Sequence, residues 1–519
     1  MSTLVVWIQA VLMAAGALVS SRRLLHFFQL ESYQFRGYKN TVLRQYQKCL
    51  VPYLVLGVFV LLACLLPGMW FACAVMIFGG AVIYRMSLHK QEKKKFVVTA
   101  RVKRLIGVHA AVLVCVYALI APLLGKMGAG IVTVLLPLAL VVSGLIAWPI
   151  ERFIFYLYFF DARKKLLSDK NLIRIGITGS YGKTSVKFIL NTILSQKYNV
   201  LCTPSSFNTP MGVTRIVRER LEPAHQVFIG EMGARHVGEI KELCHLVNPH
   251  IGLLTAVGPQ HLDTFKTLER IKKTKYELIE GLPKDGFAVF GNDFGIVKEL
   301  YEKTTRVEKI LTGYENDDAW ADDVTLSPAG SAFTLHLKGE EPIRCNTELL
   351  GEHNIRNIVM CCAVAKFLGL TSAQIARGIA QIKPVEHRLQ LLRSPGNITV
   401  IDDAFNTNPL SSKVALDVLS QFPGRRIIVT PGMVELGKDE DKFNHEFGRY
   451  MASRCDLVFL VGKKHTRPIY DGLVGEGFAE ENIHVCGSLN EAIGILNPMM
   501  RENDVIMYEN DLPDHYSEG

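Results

Sequence analysis

Four long stretches without Lys, Arg, Asp or Glu precede Arg163 in this chain of 519 residues. They cover residues 1–21, 49–84, 105–125 and 127–150, with lengths of 21, 36, 21 and 24 residues. A helix needs roughly 20 apolar residues to cross a bilayer. Three stretches therefore fit one span each, and the second fits two spans folded at Leu66, Pro67 and Gly68. The sequence predicts a transmembrane region of five helices within residues 1–168 and excludes a wholly soluble protein.

The positions of the basic residues predict how these helices are oriented. The loop at residues 22–48 carries six Lys and Arg and the loop at 85–104 carries eight, whereas the turn at 66–70 carries none. Positively charged loops stay in the cytoplasm, which places the N-terminus outside and the part after the fifth span inside the cell. No basic residue precedes the first stretch, so it is typical of an anchor rather than of a signal peptide. The formal net charge of +9 is then explained by topology and contact with membrane lipids, not by nucleic-acid binding.

Beyond residue 171, short runs rich in β-branched residues alternate with longer amphipathic runs. Strands are predicted at residues 172–178, 226–230, 251–257 and 287–290, and helices at 184–196, 238–246 and 268–280. This alternation is typical of a mainly parallel, doubly wound sheet, here with an antiparallel patch at 323–337. Strands are predicted again at 398–402, 426–430, 457–461 and 504–508. We therefore predict an α-helical membrane region followed by α/β structure: a central P-loop ATPase domain at 169–383 and a smaller, Rossmann-like C-terminal domain at 384–519.

The segment from Gly176 to Ser185 has the pattern of a phosphate-binding loop. Its sequence Gly-Ile-Thr-Gly-Ser-Tyr-Gly-Lys-Thr-Ser follows a predicted strand and opens a predicted helix, as such a loop requires. Glycines let backbone N–H groups approach phosphate oxygens, and the helix N-terminus favours their negative charge. Lys183 would reach the outer phosphates and Thr184 would offer its hydroxyl to Mg²⁺. The residues expected to contact phosphate are Gly179, Ser180, Tyr181, Gly182, Lys183, Thr184 and Ser185.

Two more polar residues follow predicted strands close to this loop. Glu231 comes directly after the strand at 226–230, and His261 comes after the strand at 251–257. Because ligands gather at the carboxyl ends of strands in open α/β sheets, Lys183, Glu231 and His261 should face one crevice. A carboxylate, an imidazole and the hydroxyl of Thr184 would form a magnesium site beside a nucleotide.

These residues, with several later motifs, resemble the Mur ligase family. The further motifs are 231–234, 238–240, 275–277, 292–293, 351–357, 387–390, 402–409 and 432–437, together with His261 and His445. Within that family the chain is most similar to the MurF type, which adds D-alanyl-D-alanine to a muramoyl tripeptide precursor. The resemblance covers about residues 171 to 504, and the motifs occur in the family order.

The resemblance implies an ATP-dependent reaction that forms an amide bond and releases ADP and phosphate. ATP would phosphorylate a carboxylate, and an amine would then attack the acyl phosphate. Lys183, Glu231 and His261 carry over as catalytic residues, with Thr184, Glu231 and His261 at the magnesium site. Asn292 carries over as an adenine contact and Asn354 as a weaker one. Arg388 and Asp403 would reach the nucleotide from the C-terminal domain, so closure of the two domains would complete the site.

The resemblance also assigns a role to Lys275, which lies 14 residues after His261 on a predicted helix. It matches a lysine that is carbamylated in Mur ligases. Carbamylation turns a cation into an anion, which would let Lys275 join the catalytic and metal-binding residues and hold a second Mg²⁺ ion. The alternative is an ordinary solvated lysine in a basic helix.

Two departures from the family concern the substrate. The MurF type begins with a soluble domain that holds the UDP end of its precursor, and here the apolar stretches stand in its place. Near the C-terminus the family has a basic Lys-Gly-Ser segment, whereas this chain has the acidic segment 509–514, which suits an ammonium group or is a solvated tail. The expected donor is thus a carboxylate-bearing cell-wall precursor, UDP-linked or lipid-linked, and the expected acceptor is the amine of an amino acid or dipeptide.

The prediction is a multi-pass ligase of the bacterial cell membrane with cytoplasmic catalytic domains, and two alternatives stay open. One is an amino-acid ligase for an anionic polymer such as poly-γ-glutamate. The other is a nucleotide-driven membrane transporter or regulator. A transporter would need ionisable residues inside its spans, and the four apolar stretches contain only His109.

Overall fold

The computed structural model describes residues 3–66, 69–88, 95–204, 207–293, 295–327, 329–405 and 407–511. The chain divides into two compact units, with Leu157 the last residue of the first and Tyr158 the first residue of the second. The domain boundaries predicted at 168 and 383 stay predictions. The turn predicted between two spans at Pro67 and Gly68 lies outside the described residues.

The chain begins with a series of helices. They are α1 (Thr3–Ser20), α2 (Arg22–Leu30), α3 (Phe35–Arg44), α4 (Tyr46–Cys49), α5 (Val51–Cys64), α6 (Met69–Met86), α7 (Ala100–Cys115), α8 (Ala121–Leu123), α9 (Gly128–Val134) and α10 (Leu136–Ser168). By length and composition, four helical segments could cross a membrane, or five if α1 and α2, which meet at a bend of 49°, form one span. The upper number equals the predicted five. The last span was expected to end at residue 150, but α10 continues without a break to Ser168.

Small residues and satisfied polar groups hold the first unit together. A Cβ atom on Gly80 of α6 would lie 2.3 Å from the carbonyl oxygen of Gly16 in α1, so glycine allows these backbones to approach. His109 is buried, with its ring nitrogens 2.8 Å from Ser143 Oγ and 3.2 Å from Ser21 Oγ. Both ring nitrogens thus have hydroxyl partners, which satisfies the hydrogen-bonding capacity of the buried imidazole.

The central domain alternates strands and helices before ending in antiparallel strands. Its elements are β1 (Ile173–Thr178), α11 (Lys183–Leu194), β2 (Val200–Cys202), α12 (Pro210–Arg220), β3 (Val227–Glu231), α13 (Glu239–Val247), β4 (Ile251–Leu254), α14 (Leu262–Phe265), α15 (Leu268–Glu280), β5 (Phe287–Gly291), α16 (Ile296–Lys303), β6 (Glu308–Gly313), β7 (Ala319–Ser327), β8 (Gly330–Leu337), β9 (Ile343–Thr347), α17 (Glu352–Phe367) and α18 (Ser372–Ala380). The strand order is β2-β3-β1-β4-β5-β6-β7-β8-β9. The strands β1 to β6 pair in parallel, and β7, β8 and β9 pair antiparallel.

Helices cover both faces of this sheet, as the sequence pattern predicts. On one face, α11 and α17 pack over Ile175 and Ile177 of β1. On the other face, the intervening Gly176 makes room for α15, because a Cβ atom there would lie 2.8 Å from Leu278 Cδ1. The parallel strands therefore end along a single edge, where the phosphate loop follows β1.

The C-terminal domain has a second, smaller sheet. Its elements are β10 (Gln390–Ser394), β11 (Ile398–Asp403), α19 (Pro409–Leu419), β12 (Arg426–Thr430), α20 (Glu440–Met451), β13 (Leu457–Val461), α21 (Arg467–Gly475), β14 (Ile483–Cys486), α22 (Leu489–Leu496) and β15 (Val505–Glu509). The strand order is β10-β11-β15-β12-β13-β14, with only the β10–β11 pair antiparallel among the described strands. The carboxyl ends of β11, β12 and β15 thus lie side by side.

Candidate active site

The phosphate loop connects β1 to α11 through two glycines with positive φ. Gly179 has φ 153° and Gly182 has φ 77°. A Cβ atom on Gly179 would lie 1.9 Å from Thr255 Oγ1, so the close approach of the two loops requires a glycine there. The first helical residue is Lys183, which places the loop amides at the N-terminus of α11. This arrangement favours the binding of an anion.

The phosphate loop is fastened to the segment that follows β4. The Ser180 amide donates to the Ala256 carbonyl over 2.7 Å, and the Ser180 hydroxyl donates to the Gly258 carbonyl over 2.9 Å. The Tyr181 hydroxyl donates to the Pro259 carbonyl over 2.8 Å. The predicted strand 251–257 ends at Leu254 instead, since the residues beyond it serve the phosphate loop. We call these three hydrogen bonds the loop contact.

Lys183 folds back over the loop that it follows. Its Nζ donates to the carbonyl oxygens of Gly179 and Ser180 over 2.7 and 3.0 Å. Burial lowers the pKa of Lys183 to about 8, with Glu231 opposing that shift and Arg388 adding to it. The ammonium group is thus surrounded by loop carbonyls, the position from which a lysine can reach a bound phosphate.

Glu231 lies at the end of β3 and is held by three neighbouring side chains. Thr184 Oγ1 and Lys187 Nζ lie 3.1 and 3.0 Å from its Oε2, and Asn208 Nδ2 donates to its Oε1 over 2.9 Å. The side chains of Lys187 and Glu231 are 0% and 1% exposed. Burial alone would raise the pKa of Glu231, but Lys187, Lys183 and Asn208 hold it below its usual value. The carboxylate therefore stays charged.

His261 faces a carboxylate from the C-terminal domain. Its Nδ1 lies 2.6 Å from Glu435 Oε2, and Arg235 Nη2 lies 3.4 Å from the other oxygen of Glu435. Burial lowers the pKa of His261, and Glu435 opposes that shift. Both His261 and Glu435 have left-handed backbone conformations, with φ 51° and 65°. Such a conformation costs an ordinary residue about 1 kcal/mol or more, so the surrounding structure must hold both residues in place.

Lys275 of α15 is buried close to the residues described above. Burial lowers its pKa well below the usual value; Lys183 adds to that shift, whereas Glu239, Glu231 and Glu277 oppose it. The alternative of a solvated lysine is thus wrong for this position. Lys275 therefore belongs to the same electrostatic cluster as Lys183 and Glu231.

A cavity of about 310 Å³ opens beside the phosphate loop and is lined by both domains. Of the residues predicted to bind the cofactor, the cavity contains Tyr181, Gly182, Ser185, Asn292, Asn354, Arg388 and Asp403. It also contains residues that had no individually predicted role, among them Thr255, Asp293, Tyr314, His353, Arg356 and Met360. The cavity is thus lined by seven of the residues predicted to bind the cofactor, although more than 200 sequence positions separate the first from the last.

At one end of the cavity the predicted adenine contacts have protein partners of their own. Asn292 Nδ2 lies 3.1 Å from both carboxylate oxygens of Asp317. Asn354 Nδ2 donates over 2.9 Å to the carbonyl of Leu350, which lies two residues before the start of α17. The Asn292 amide is therefore oriented by Asp317, and the Asn354 amide helps to fix the start of α17.

At the other end Arg388 and Asp403 enter from the C-terminal domain. The guanidinium of Arg388 lies 4.4 Å from the centre of the Phe405 ring. Burial raises the pKa of Asp403 to about 7, although Arg388 and the Leu389 amide, which donates to Asp403 over 3.2 Å, oppose the shift. Burial also lowers the pKa of Arg388, while Asp403 and Glu231 counteract it.

A second carboxyl group lies beside Asp403. Glu509 ends β15 and is paired across the sheet with Asp403 at the end of β11. Its side chain is fully buried; Oε2 accepts from Thr430 over 2.6 Å, and Oε1 has no hydrogen-bond partner among the described residues. Burial raises the pKa of Glu509 to about 7. Glu509 is therefore not part of a solvated tail; Asp514, at the end of the predicted acidic segment, lies outside the described residues.

The residues predicted to hold magnesium are only partly assembled. Thr184 and Glu231 are in contact, and their oxygen atoms suit Mg²⁺, which usually takes one or two protein ligands together with phosphates and water. His261 has its Nδ1 occupied by Glu435, as metal-binding imidazoles commonly have. No group of three or more His, Cys, Asp or Glu side chains among the described residues could hold a metal alone. The oxygens of Thr184 and Glu231 thus fit a magnesium ion that is shared with a nucleotide, with His261 as the third predicted ligand.

Comparison with known proteins agrees with this geometry. The Mur ligase middle domain matches residues 177–365, and the Mur ligase glutamate ligase domain matches residues 387–508. With the relatives described next, these matches show that the chain belongs to the Mur ligase family.

The most similar relatives carry one specific name. UDP-N-acetylmuramoyl-tripeptide–D-alanyl-D-alanine ligase of Bacillus subtilis is 32% identical over 295 residues, which cover 56% of this chain and 62% of that protein. The Escherichia coli protein of the same name is 32% identical over 311 residues, covering 59% and 68%. The crystal structure of MurF from Acinetobacter baumannii has a TM-score of 0.64 and 26% identity, and the match covers 70% of this chain and 79% of that one. The chain thus spans less than two thirds of the Bacillus subtilis relative, and the two matched Mur ligase domains lie after the helical region.

These comparisons bear on two predicted features. They give no support to the carbamate predicted on Lys275, and none to a lipid-linked substrate. Two functional candidates were missed by the sequence analysis, namely Lys187 and Arg235. Lys187 follows Lys183 by one helical turn, and that spacing was the available signal, since it places both side chains on one face of α11.

Proposed function

We propose that this protein is an ATP- and Mg²⁺-dependent ligase of the MurF type that forms an amide bond on a peptidoglycan precursor. The observation that supports this most is the cavity where Gly182, Asn292, Arg388 and Asp403 meet. A phosphate loop alone would suit many nucleotide-binding proteins. This cavity is also lined by two residues of the C-terminal domain, which suits a reaction in which both domains contact the same nucleotide.

The proposed reaction has two steps. A carboxylate oxygen of the donor attacks the γ-phosphorus of ATP, the bond to the β-phosphate oxygen breaks, and ADP leaves. The nitrogen of the acceptor amine then attacks the acyl carbon, phosphate leaves with the bonding electrons, and the nitrogen loses a proton. Phosphorylation is needed because a free carboxylate is a poor acyl donor.

The residues of the site suit the charge that develops during these steps. Loop amides and Lys183 would hold the transferred phosphoryl group, whose charge must be neutralised as it moves between two anions. Thr184 and Glu231 would hold the magnesium ion, which supplies further positive charge to the phosphates. Arg388 would contact the nucleotide only when the C-terminal domain is docked, so water would be excluded before transfer.

The test is release of ADP by the purified full-length chain with UDP-linked muramoyl tripeptide, D-alanyl-D-alanine and Mg·ATP. We expect turnover that needs all three substrates and a product that has gained the mass of the dipeptide. Trapping with hydroxylamine before the amine is added should give a hydroxamate if an acyl phosphate forms. ADP release that is independent of both donor and acceptor would contradict the proposal and favour a regulatory ATPase.

We further propose that the helical region anchors the enzyme in the bacterial cell membrane, with the N-terminus outside. Four segments have the required length and composition, or five with the bent pair α1 and α2, and five spans place the N-terminus opposite the catalytic domains. Large apolar side chains such as Phe59, Phe78 and Leu138 are exposed on the surfaces of these segments. Exposed apolar surface of this extent is typical of contact with lipid. The chain should stay in the membrane fraction after a carbonate wash at high pH and leave it only with detergent.

The carrier of the donor is a finer part of the proposal. The family's UDP-holding domain has no counterpart in the matched region, and a membrane anchor would raise the local concentration of a lipid-linked donor. We expect the full-length chain in nanodiscs to use a lipid-linked muramoyl peptide better than the UDP-linked form. Equal rates with both donors would leave the helices with an anchoring role alone.

A further inference from the structure

Glu435 is a carboxylate of the C-terminal domain that the structure brings to His261. The two side chains are 14% and 17% exposed, and 2.6 Å separate Glu435 Oε2 from His261 Nδ1. The residues are 174 positions apart and belong to different domains. This contact therefore exists only while the C-terminal domain is docked on the central domain.

The loop that carries Glu435 is held rigidly. The buried Asn444 accepts from the Met433 amide and donates to the Met433 carbonyl, both over 2.9 Å. Asn510 Nδ2 donates to the Gly432 carbonyl over 2.6 Å. These bonds fix the backbone just before Glu435, which explains how a non-glycine residue keeps a positive φ there. The carboxylate is thus presented in one direction, towards the central domain.

The chemistry of the contact determines which ring nitrogen of His261 stays available. A carboxylate at 2.6 Å accepts a hydrogen bond from Nδ1–H, so the neutral ring keeps its lone pair on Nε2. Metal-binding imidazoles are commonly oriented in this way by a carboxylate on the other nitrogen. Arg235 also approaches Glu435, but its side chain is 58% exposed, so its contribution should be small.

We infer that Glu435 is a positioning residue that completes the magnesium site from the C-terminal domain, by fixing the tautomer and orientation of His261. The inference rests on the proposed function and deepens it: the metal ion is bound at full strength only after the domains meet. Domain closure then controls the metal ion as well as the nucleotide.

The experiment measures binding of Mn²⁺ to the full-length protein in the presence of ADP, by electron paramagnetic resonance. We expect Glu435→Gln to weaken Mn²⁺ binding by about 10-fold or more, the range found when such supporting carboxylates are removed. Binding of ADP in EDTA should be unchanged, because the contact acts on the metal ion. Glu435→Asp, which keeps the charge but is one methylene shorter, should lose less.

The matched control is Glu440→Gln. Glu440 lies 3.6 Å from His465 within the C-terminal domain, so the variant removes the charge from another glutamate–histidine pair. It should bind Mn²⁺ like the wild type. In the background of His261→Ala, adding Glu435→Gln should cause no further loss, since the effect is transmitted through the imidazole.

Two results would overturn the inference while leaving the proposed function intact. One is Mn²⁺ binding by Glu435→Gln within two-fold of the wild type. The other is an equal loss of ADP binding in EDTA, which would indicate a structural role. If the wild-type protein binds neither Mn²⁺ nor ADP, both the inference and the proposed function fail.

Discussion

The carboxyl edges of the two sheets carry opposite charge. At the end of the central strands, Lys183 and the buried Lys187 and Lys275 surround the buried carboxylate Glu231. At the end of the C-terminal strands, two buried carboxyl groups, Asp403 and Glu509, lie side by side. Ligands bind at the carboxyl ends of the strands in open α/β sheets, whatever the charge of the ligand. The two sheets thus place sites for two kinds of ligand at equivalent edges. The central edge suits phosphates, and the C-terminal edge suits a cation or a shared proton.

The largest effect on activity should come from removing Lys183, the lysine whose ammonium group lies against the phosphate loop. We expect Lys183→Ala to lower donor-dependent ADP release about 1,000-fold or more, because charge developing on the phosphoryl group loses its main partner. Folding and membrane insertion should persist, since Lys183 contacts loop carbonyls rather than a core. Normal turnover in a folded variant would refute the assignment of the phosphate loop.

Lys187 should behave differently although it lies one turn further along the same helix. Lys187→Met leaves Glu231 as a buried carboxylate without its ion-pair partner, which typically costs about 3 kcal/mol or more of unfolding free energy. Urea unfolding of the variant measures this loss, and Lys298→Met, a change at an exposed lysine, is the control. An unchanged midpoint would mean that Glu231 does not depend on Lys187.

The acidic edge predicts a stability that falls as pH rises. The pKa of Glu509 is about 7 in the folded protein and about 4.5 in an unfolded chain, so the folded state holds more protons between these values. The contribution of Glu509 is full below about pH 4.5 and is lost as pH rises through 7, by up to about 3 kcal/mol. We expect Glu509→Gln to flatten the dependence of the melting temperature between pH 5 and 8.

The control for this measurement is Glu502→Gln, a change at an exposed glutamate. Its melting temperature should depend on pH as that of the wild type does. Parallel profiles for Glu509→Gln and the wild type would show that Glu509 titrates normally. Asp403 should contribute in the same direction, because its pKa is also raised to about 7.

The smallest effect concerns the loop contact. Tyr181→Phe removes one hydrogen bond to Pro259, worth about 1 kcal/mol. We expect ADP binding to weaken by about two- to five-fold, measured by calorimetry. The control is Tyr470→Phe, which removes a hydroxyl that donates to Glu480. This variant should bind ADP as the wild type does. A loss greater than 100-fold would mean that Tyr181 contacts the nucleotide itself.

Much of the fold could be predicted because local patterns determine it. The strands at 426–430 and 457–461 and the helix at 268–280 match β12, β13 and α15 to the residue. The strands β2 and β14 were missed, since each has only three or four residues and lies at a sheet edge. Short edge strands carry little periodic signal, and their pairing partners are distant in sequence.

The site was predictable where its residues are contiguous or end a strand. The phosphate loop has its function in ten consecutive residues, and Glu231 could be placed because it ends β3. The motif containing Glu435 and the role of His261 were both predicted. The contact between them was not, because only the docking of two domains brings them together. Lys187 was overlooked for a related reason: a helix sequence does not reveal which of its lysines faces a buried carboxylate.

The loop contact has a consequence for the order of events. Ser180 and Tyr181 are bonded to residues 256 to 259, and His261 follows two positions later. A nucleotide that orders the phosphate loop therefore also orders the backbone leading to His261. Glu435 then meets an imidazole that is already in place, so the entropic cost of aligning it falls on nucleotide binding rather than on docking. Nucleotide binding should accordingly favour closure of the two domains.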